Sequence, residues 1–496
     1  MGLKKVLEDA REQGLALTFD DVRLRTGYSE IMPDGVNLES RFSRNVGLKI
    51  PIVSAAMDTV TESRLAIEIA KLGGIGVIHR GLNIEDQFRE VDRVKHHLNG
   101  LIEKPICVYA SDVVLDVLKR REEKKYAFHS FPVLGEDNKL VGIVTGNDFD
   151  LCDNSSLRIK DIMSAELLSA PRGINIDQAY QLMKERKKKA LPLVDEDGTV
   201  NGLYIFSDVK RIKEGSARNY NLDSGGQLRV AVAVGTGDET MDRVSRLYGG
   251  VDVIVIDTAH GDSKSVIETL NEIKRNYNID VVVGNVSVGV SAKRLVDAGA
   301  DGIKVGQGPG SICTTRIIAG IGRPQVSAIY DCARAIDGSN IPICADGGLR
   351  SSGDVPIAIA AGAHSVMMGG MIAGTEESPG SVVYVEGRQW KSYRGMGSIG
   401  AMESNSGSRQ RYLQSDDGRL VPEGVEGLVP YKGKLSEVMA QYIGGLRKGM
   451  GYVGAKDIRE LIIKGELDRI TLAGFSESHP HDIRITQDSP NYRGRN

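Results

Sequence analysis

The stretch "DVIVIDTAHGDS" (residues 252–263) decides how the chain is read. Five consecutive apolar or acidic-terminated positions, Val253 to Asp257, are β-branched or carboxylate, with no polar residue in alternate places. A run of that kind is a strand covered on both faces, as in parallel sheets, and it closes on polar residues at its carboxyl end. The same grammar recurs on both sides. It appears in "PIVSAA" (51–56), "IGVIH" (75–79), "RVAVAV" (229–234), "DVVVGN" (280–285), "GIKVGQG" (302–308), "IPICADGG" (341–348) and "SVMMGG" (365–370). Helical patterns ending in turns such as "DAGAD" and "AAGAH" separate most of them. Strands alternating with crossover helices predict an α/β fold, a (β/α)8 TIM barrel whose polar strand ends form one chemical face. A doubly wound sheet is the alternative, because counting strands does not show closure.

Bulk properties narrow the function. The chain has 496 residues, 41% hydrophobic and 26% charged, which predicts more than one domain and an ordinary globular composition. A net charge of -3 argues against a dedicated nucleic-acid binder. The basic run "KERKKKA" (184–190) reads as the solvated face of a helix. The five cysteines Cys107, Cys152, Cys313, Cys332 and Cys344 lie far apart without a CxxC pair, so neither a disulfide framework nor a zinc site is expected. No apolar run has membrane-spanning length, and "MGLKKVLEDAREQG" lacks a signal core; Val6 also breaks the myristoylation pattern. A cytoplasmic protein without membrane attachment is expected.

The interval between the second and third strands is far longer than one βα unit needs. It holds a duplicated pattern, "FPVLGEDNKLVGIVTGNDF" (131–149) and "LPLVDEDGTVNGLYIFSDV" (191–209). One small module used twice is expected. The pair resembles tandem CBS domains, which implies an adenine or guanine nucleotide ligand; Thr145 and Asp148 match the ribose pattern, and the second copy offers only Ser207 and Asp208. A purely structural insert is the alternative. The expected organisation is barrel over 1–98, insert over 99–212 (copies 99–155 and 156–212), and barrel again over 213–496.

"GQGPGSICTTR" (306–316) places Cys313 after a glycine-rich turn. Such a turn lets backbone approach a ligand closely, and its carbonyls at Gly308, Gly310 and Cys313 suit a monovalent cation. Ser311 can donate to a phosphate, and "ADGG" and "MMGG" end the last two strands, where barrels frequently hold one. Asp257 and Asp346 each close a strand and can hold ribose hydroxyls. Thr258, His260 and Ser263 follow Asp257 and suit a second ribosyl group. Residues 393–433 are polar and Gly-rich, and read as a mobile flap.

In order along the chain, "TFDDV", "SAAMDTVT", "GGIGVIH", "IDTAHG", "GPGSICTTR", "ADGG", "YRGMGS", "RYLQ", "VPEGVEG", "GMGYVGA" and "SHPHDI" resemble the IMP dehydrogenase / GMP reductase family. Arg411-Tyr412 within a long flap, together with the insert, resembles the dehydrogenases. That resemblance implies oxidation of inosine 5′-monophosphate (IMP) by NAD to xanthosine 5′-monophosphate, the committed step of guanine nucleotide synthesis. Cys313 is the implied nucleophile, and Arg411 the base, with Thr315 and Tyr412 positioning water. Ser311, Asp346, Gly348, Gly369, Gly370 and Tyr393 would hold the IMP ribose and phosphate. Met396, Gly397 and Glu423 would contact the base, and a Thr315–Glu423 route is a second way out for the proton. Asp257, with Thr258, His260, Ser263, Gly306 and Gly308, would take the NAD side. Potassium would sit on Gly308, Gly310 and Cys313, completed by Glu477, Ser478 and His479 of a neighbouring subunit, in a homotetramer that leaves an octamer open. Gln307, Gly370, Arg23 and the spelling "SRQRYLQ" depart from the family pattern, and none removes a residue assigned to catalysis. A GMP reductase using NADPH and a non-catalytic nucleotide sensor are the competing readings.

Overall fold

The computed structural model describes residues 4–98, 101–102, 105–123, 130–171, 173–213, 219–404, 406–412, 419–487 and 489–492. Two compact units emerge, one of residues 1–97 with 219–496, the other of residues 98–218.

The first unit is built on eight parallel strands: β1 (Ile52–Ser54), β2 (Ile75–Ile78), β3 (Val230–Val234), β4 (Val253–Asp257), β5 (Asp280–Val286), β6 (Gly302–Val305), β7 (Ile343–Asp346) and β8 (Ser365–Met368). They close into a barrel: Val230, Ala231 and Val232 of β3 pair with Gly76, Val77 and Ile78 of β2, and β8 pairs with β1. Closure removes the doubly wound alternative. Val53, Val77, Ala231, Ala233, Val253, Val255, Val282, Cys344 and Met367 pack together with no polar partner among them. That packed interior is what keeps ligands at the ends of the strands rather than inside.

The floor, at the amino ends, is sealed by a hairpin pairing Ser40–Arg41 with Gly47–Leu48. Its Phe42, Val46 and Leu48 join the interior cluster. Asp280 at the start of β5 pins the hairpin loop, accepting from Ser43 Oγ at 2.6 Å and from the Asn45 backbone N–H and side-chain amide at 2.8 Å each.

Beyond the barrel, Val382–Val385, Arg388–Arg394 and Glu426–Pro430 form a three-stranded antiparallel sheet. The sequence reading had no strands in this region. The middle strand buries only alternate positions, Lys391 and Tyr393, and Lys391 satisfies its ammonium on the Thr375 and Ser378 carbonyls at 2.9 and 2.5 Å. A buried lysine hides the apolar alternation by which strands are recognised. Between these strands lie two short helices, Ile399–Ser404 and Ser406–Arg411. Leu413 and Gln414 of "RYLQ" lie outside the described residues.

The second unit shows its internal duplication. Val108–Tyr109, Phe131–Leu134 and Leu140–Val144 make one sheet; Ala170–Pro171, Ala190–Val194, Val200–Ile205 and Leu101–Ile102 make the other. Each carries its own core, centred on Val133, Val144 and Phe131 in one copy and on Leu191, Leu193 and Met183 in the other. Thr145 and Asp148 form a capping box at the helix Gly146–Asp150, with the Thr145 N–H and hydroxyl donating to Asp148 Oδ2 at 2.7 and 2.8 Å.

Candidate active site

A cleft of about 1910 Å³ opens at the carboxyl ends of the barrel strands. That exceeds the space one nucleotide needs, since ordinary ligand pockets run to roughly 1,000 Å³. Its wall carries Cys313, Thr315, Asp257, Asp346, Arg411, Tyr412, Glu423, Ser311, Tyr393, Met396 and His260, with Gly306, Gly308, Gly310, Gly348, Gly369, Gly370, Ser478 and His479. The strand grammar therefore brought together residues scattered over most of the chain.

The thiol stands at the start of a polar relay. Cys313 Sγ lies 3.2 Å from Thr315 Oγ1, which donates to Glu423 Oε2 at 2.7 Å. Backbone pairing holds this register: Thr314 N–H donates to the Glu423 carbonyl at 2.9 Å and Val425 N–H to the Ile312 carbonyl at 3.0 Å. This stretch of the 393–433 segment is thereby laced to the cysteine loop rather than free to move, so thiol, hydroxyl and carboxylate stay aligned. Unlike the half-buried Cys313, Cys332 and Cys344 are wholly buried, with thiols pushed up by burial, and are inert as nucleophiles.

Around Ser311 a small polar cradle forms. Built on Gly370, a Cβ would stand 3.1 Å from Ser311 Oγ, and on Gly369 one would stand 3.0 Å from the Tyr393 hydroxyl. The glycines thus leave open the space a phosphate would fill. Burial pushes the Tyr393 phenol up to about 12, keeping it a neutral donor.

The flap lies over this assembly. Arg411 pairs with Asp257 Oδ2, and the Ala259 N–H donates to the Arg411 carbonyl at 3.1 Å. Tyr412 covers Gly397 so closely that a Cβ there would be 2.6 Å from Tyr412 Cζ. Burial pushes the Arg411 guanidinium below its ordinary pKa, opposed by the Tyr412 phenol, whose own pKa burial raises. Buried Arg80, following β2, is depressed to about 9 by burial and then by Arg411 and Arg243.

Several expected residues face elsewhere. Thr258 donates its hydroxyl to the Gly284 carbonyl at 2.9 Å, and Ser263 precedes the helix Lys264–Asn276, with Oγ 3.3 Å from Ser265 Oγ. Glu477, expected to serve a neighbouring subunit, ends the helix Leu472–Glu477 on the exposed surface. Gly306 spends both backbone groups within the barrel, donating to Val286 at 2.9 Å and accepting from Asn285 Nδ2 at 2.6 Å. Its φ of +151° and the Asp346 carbonyl, 2.0 Å from where a Cβ would sit, admit only glycine.

The profile of the IMP dehydrogenase / GMP reductase domain matches residues 16–481. The chain belongs to that family. IMP dehydrogenases of Aquifex aeolicus and Bacillus subtilis are similar at 50% and 45% identity, each alignment covering 96% of this chain and 97% of the relative. Among solved structures, a cysteine-to-alanine variant of GMP reductase from Trypanosoma brucei in complex with guanosine 5′-monophosphate superposes with a TM-score of 0.87 at 38% identity. It covers 95% of this chain and 98% of its own. An insert between strands therefore does not separate dehydrogenase from reductase, and the flap residues with the higher identities must do so.

Two features of this family member were missed in the sequence. Lys304, inside the apolar run of β6, is buried among Asp257, Asn285 and Asp346. Gln307, noted only as a departure, donates to the Ala259 carbonyl at 3.1 Å, lies 3.2 Å from His260 Nδ1, and accepts from Ser287 Oγ at 2.6 Å. It ties the cysteine loop to the loop after β4. The signal for Lys304 was available: a lone lysine in a strand covered on both faces must find carboxylates.

Proposed function

We propose that this chain oxidises IMP at C2 of its hypoxanthine ring to give xanthosine 5′-monophosphate. The relay from Cys313 through Thr315 to Glu423, closed over by Arg411 and Tyr412, carries the reading. As thiolate, Cys313 adds to C2, and the adduct divides one difficult step into two. NAD⁺, when bound, supplies the acceptor for the two electrons and hydrogen leaving C2. Water then adds to the thioimidate carbon and the Cys313–C2 bond breaks. Tyr412 and Thr315 hold that water, and Arg411 takes its proton. Burial of Arg411 favours its neutral form, whereas its pairing with Asp257 favours the cation, so the pair must loosen as the proton moves. Thr315 and Glu423 offer a second proton path.

Ser311, Gly369, Gly370 and Tyr393 would take the IMP phosphate, and Asp346 with Gly348 the ribose; Met396, Gly397 and Glu423 would contact the base. Asp257 would bind the nicotinamide ribose, with His260 and Gly308 framing that side, whereas Thr258, Ser263 and Gly306 spend their polar groups within the fold. Because Arg411 occupies Asp257 in this structure, flap and cofactor compete for one carboxylate. Potassium suits the carbonyls of Gly308, Gly310 and Cys313, as hard cations take oxygen ligands; among the described residues no cluster of His, Cys, Asp or Glu is placed to hold another metal. Glu477, Ser478 and His479 of the partner subunit would complete the site in a homotetramer. The second unit fits a CBS pair taking an adenine or guanine nucleotide, with Thr145 and Asp148 at its first site. No helix of the described residues is long and apolar enough to cross a membrane, which accords with a cytoplasmic enzyme.

The likeness to a GMP reductase makes that the second reading. Absorbance of NADH, followed with IMP, NAD⁺ and KCl and separately with GMP and NADPH, decides between them. Accumulation of NADH over many turnovers, abolished in Cys313→Ala, is expected. Oxidation of NADPH by GMP with silence toward IMP would overturn the proposal.

A further inference from the structure

Lys304 is 1% exposed, and a buried ammonium is costly unless each of its donors is met. Here they are. Nζ lies 2.6 Å from Asp346 Oδ2 and 2.9 Å from Asp257 Oδ1, and donates to Asn285 Oδ1. Space for the lysine stem is made by Gly284, its register partner on β5, where a Cβ would lie 2.6 Å from Lys304 Cβ. The two aspartates come from β4 and β7, on either side of β5 and β6 in the barrel wall. They are the carboxylates assigned above to two different riboses, and one cation holds both. Arg411 reaches only the far oxygen of Asp257, and does so with the flap down.

We propose that Lys304 is a positioning residue that offsets the charges of Asp257 and Asp346 and aims both carboxylates into the cleft, and thereby couples the two nucleotide subsites. The inference rests on the assignment of those aspartates to the two riboses. Two carboxylates sharing one buried region repel, and without a counter-ion one of them takes up a proton. With Arg411 withdrawn from Asp257, Lys304 alone among the described side chains ion-paired to these aspartates offsets both charges. Its contribution is therefore greatest in the open state that binds substrates, and least in the closed state that hydrolyses the adduct. Asp257, Asn285 and Asp346 face it directly, and Arg411, Cys344 and Tyr393 interact electrostatically with the aspartates.

The test is steady-state kinetics of Lys304→Met, Asp257→Asn, Asp346→Asn and Lys304→Met/Asp257→Asn from about pH 6 to 9, with NADH-burst and hydrolysis rates measured separately. Lys304→Met should raise KM for both IMP and NAD⁺ by about 10- to 100-fold near neutrality, and recover as rising pH ionises the second carboxylate. Its burst should slow more than its hydrolysis step. In the double variant the repulsion is gone, so the pH limb should vanish and the IMP KM should lie within about threefold of Asp257→Asn alone. Losses that are independent of pH, equal in every parameter and multiplicative in the double variant would reduce Lys304 to a packing residue and overturn the proposal. Should Lys304→Met fail to fold, the double variant against Asp257→Asn decides, because it buries no unpaired second charge. Unchanged KM values in Asp257→Asn for NAD⁺ and in Asp346→Asn for IMP would instead strike the ribose assignment, and the proposal with it.

Discussion

The two ends of the barrel bury carboxylates in opposite ways. On the floor, each has fixed partners within the fold: Asp280 is held by Ser43 and Asn45, Asp301 by Lys274 at 2.7 Å and the Val281 N–H at 3.0 Å, and Asp252 by Lys95 at 2.7 Å and the Val230 N–H at 2.8 Å. At the mouth, Asp257 and Asp346 divide one lysine between them, and the remaining partner of Asp257 comes from a flap. The floor spends its polar capacity on holding the barrel shut. The mouth keeps some of it for ligands. Buried charge thus means stability where its partners come from the scaffold, and chemistry where they are shared or can leave.

The sharpest break between the two ends is expected from Cys313→Ala. Turnover should fall by about 10⁴-fold or more, while the melting temperature moves by less than about 2 °C, because a half-buried thiol at the mouth supports no packing. Calorimetry beside the NADH assay checks both halves; a large loss of melting temperature would blur the comparison.

Asp280→Ala should do the reverse. Three hydrogen bonds to the hairpin loop go with it, so unfolding in urea should become about 3 kcal/mol easier, while kcat/KM of the folded fraction stays within about twofold. Lost activity at unchanged stability would show that floor and mouth are not separable.

His364, just before β8, gives the floor a pH dependence. Burial lowers its pKa to about 4, and its Nδ1 accepts from the Ile343 N–H at 3.3 Å. The unfolded chain therefore binds a proton that the folded chain refuses. Stability should be fully present above about pH 6.5 and decline by about 3 kcal/mol as pH falls to about 4, at 1.36 kcal/mol per pKa unit. In His364→Gln the slope of denaturation midpoint against pH over that window should flatten; an unaltered slope would assign it to other groups.

Gln307→Ile is the mildest. It unties the cysteine loop from the Ala259 carbonyl and from His260, so KM for NAD⁺ should rise about two- to fivefold with kcat nearly unchanged. A larger change in the potassium requirement than in KM would place the effect on the cation loop instead.

Most of the mouth was legible in the sequence because strand ends in a parallel barrel are dictated by period and by punctuation. "DVIVIDT" and "IPICADGG" locate Asp257 and Asp346 without any tertiary information, and "GPGSICTTR" locates Cys313. What escaped were residues whose meaning depends on a neighbouring strand. Lys304 looks like an interruption of β6 until Asp257 and Asp346 are seen beside it. Lys391 likewise masks a strand by burying an ammonium on carbonyls. Thr258 was read as a ligand-facing hydroxyl, and it turns inward to the Gly284 carbonyl, a choice that only the backbone of β5 determines. The Thr145–Asp148 spacing is satisfied locally as a helix cap, which a nucleotide-binding pattern and a capping box share.

The most direct test of the account is to mix Arg411→Ala with IMP, NAD⁺ and KCl and to follow NADH in the first turnover while quenching for intact-protein mass. One equivalent of NADH per active site, formed at near wild-type rate, together with a nucleotide adduct that maps to Cys313 and decays slowly, is the predicted result. Absence of both burst and adduct, or an adduct on any other residue, would contradict it.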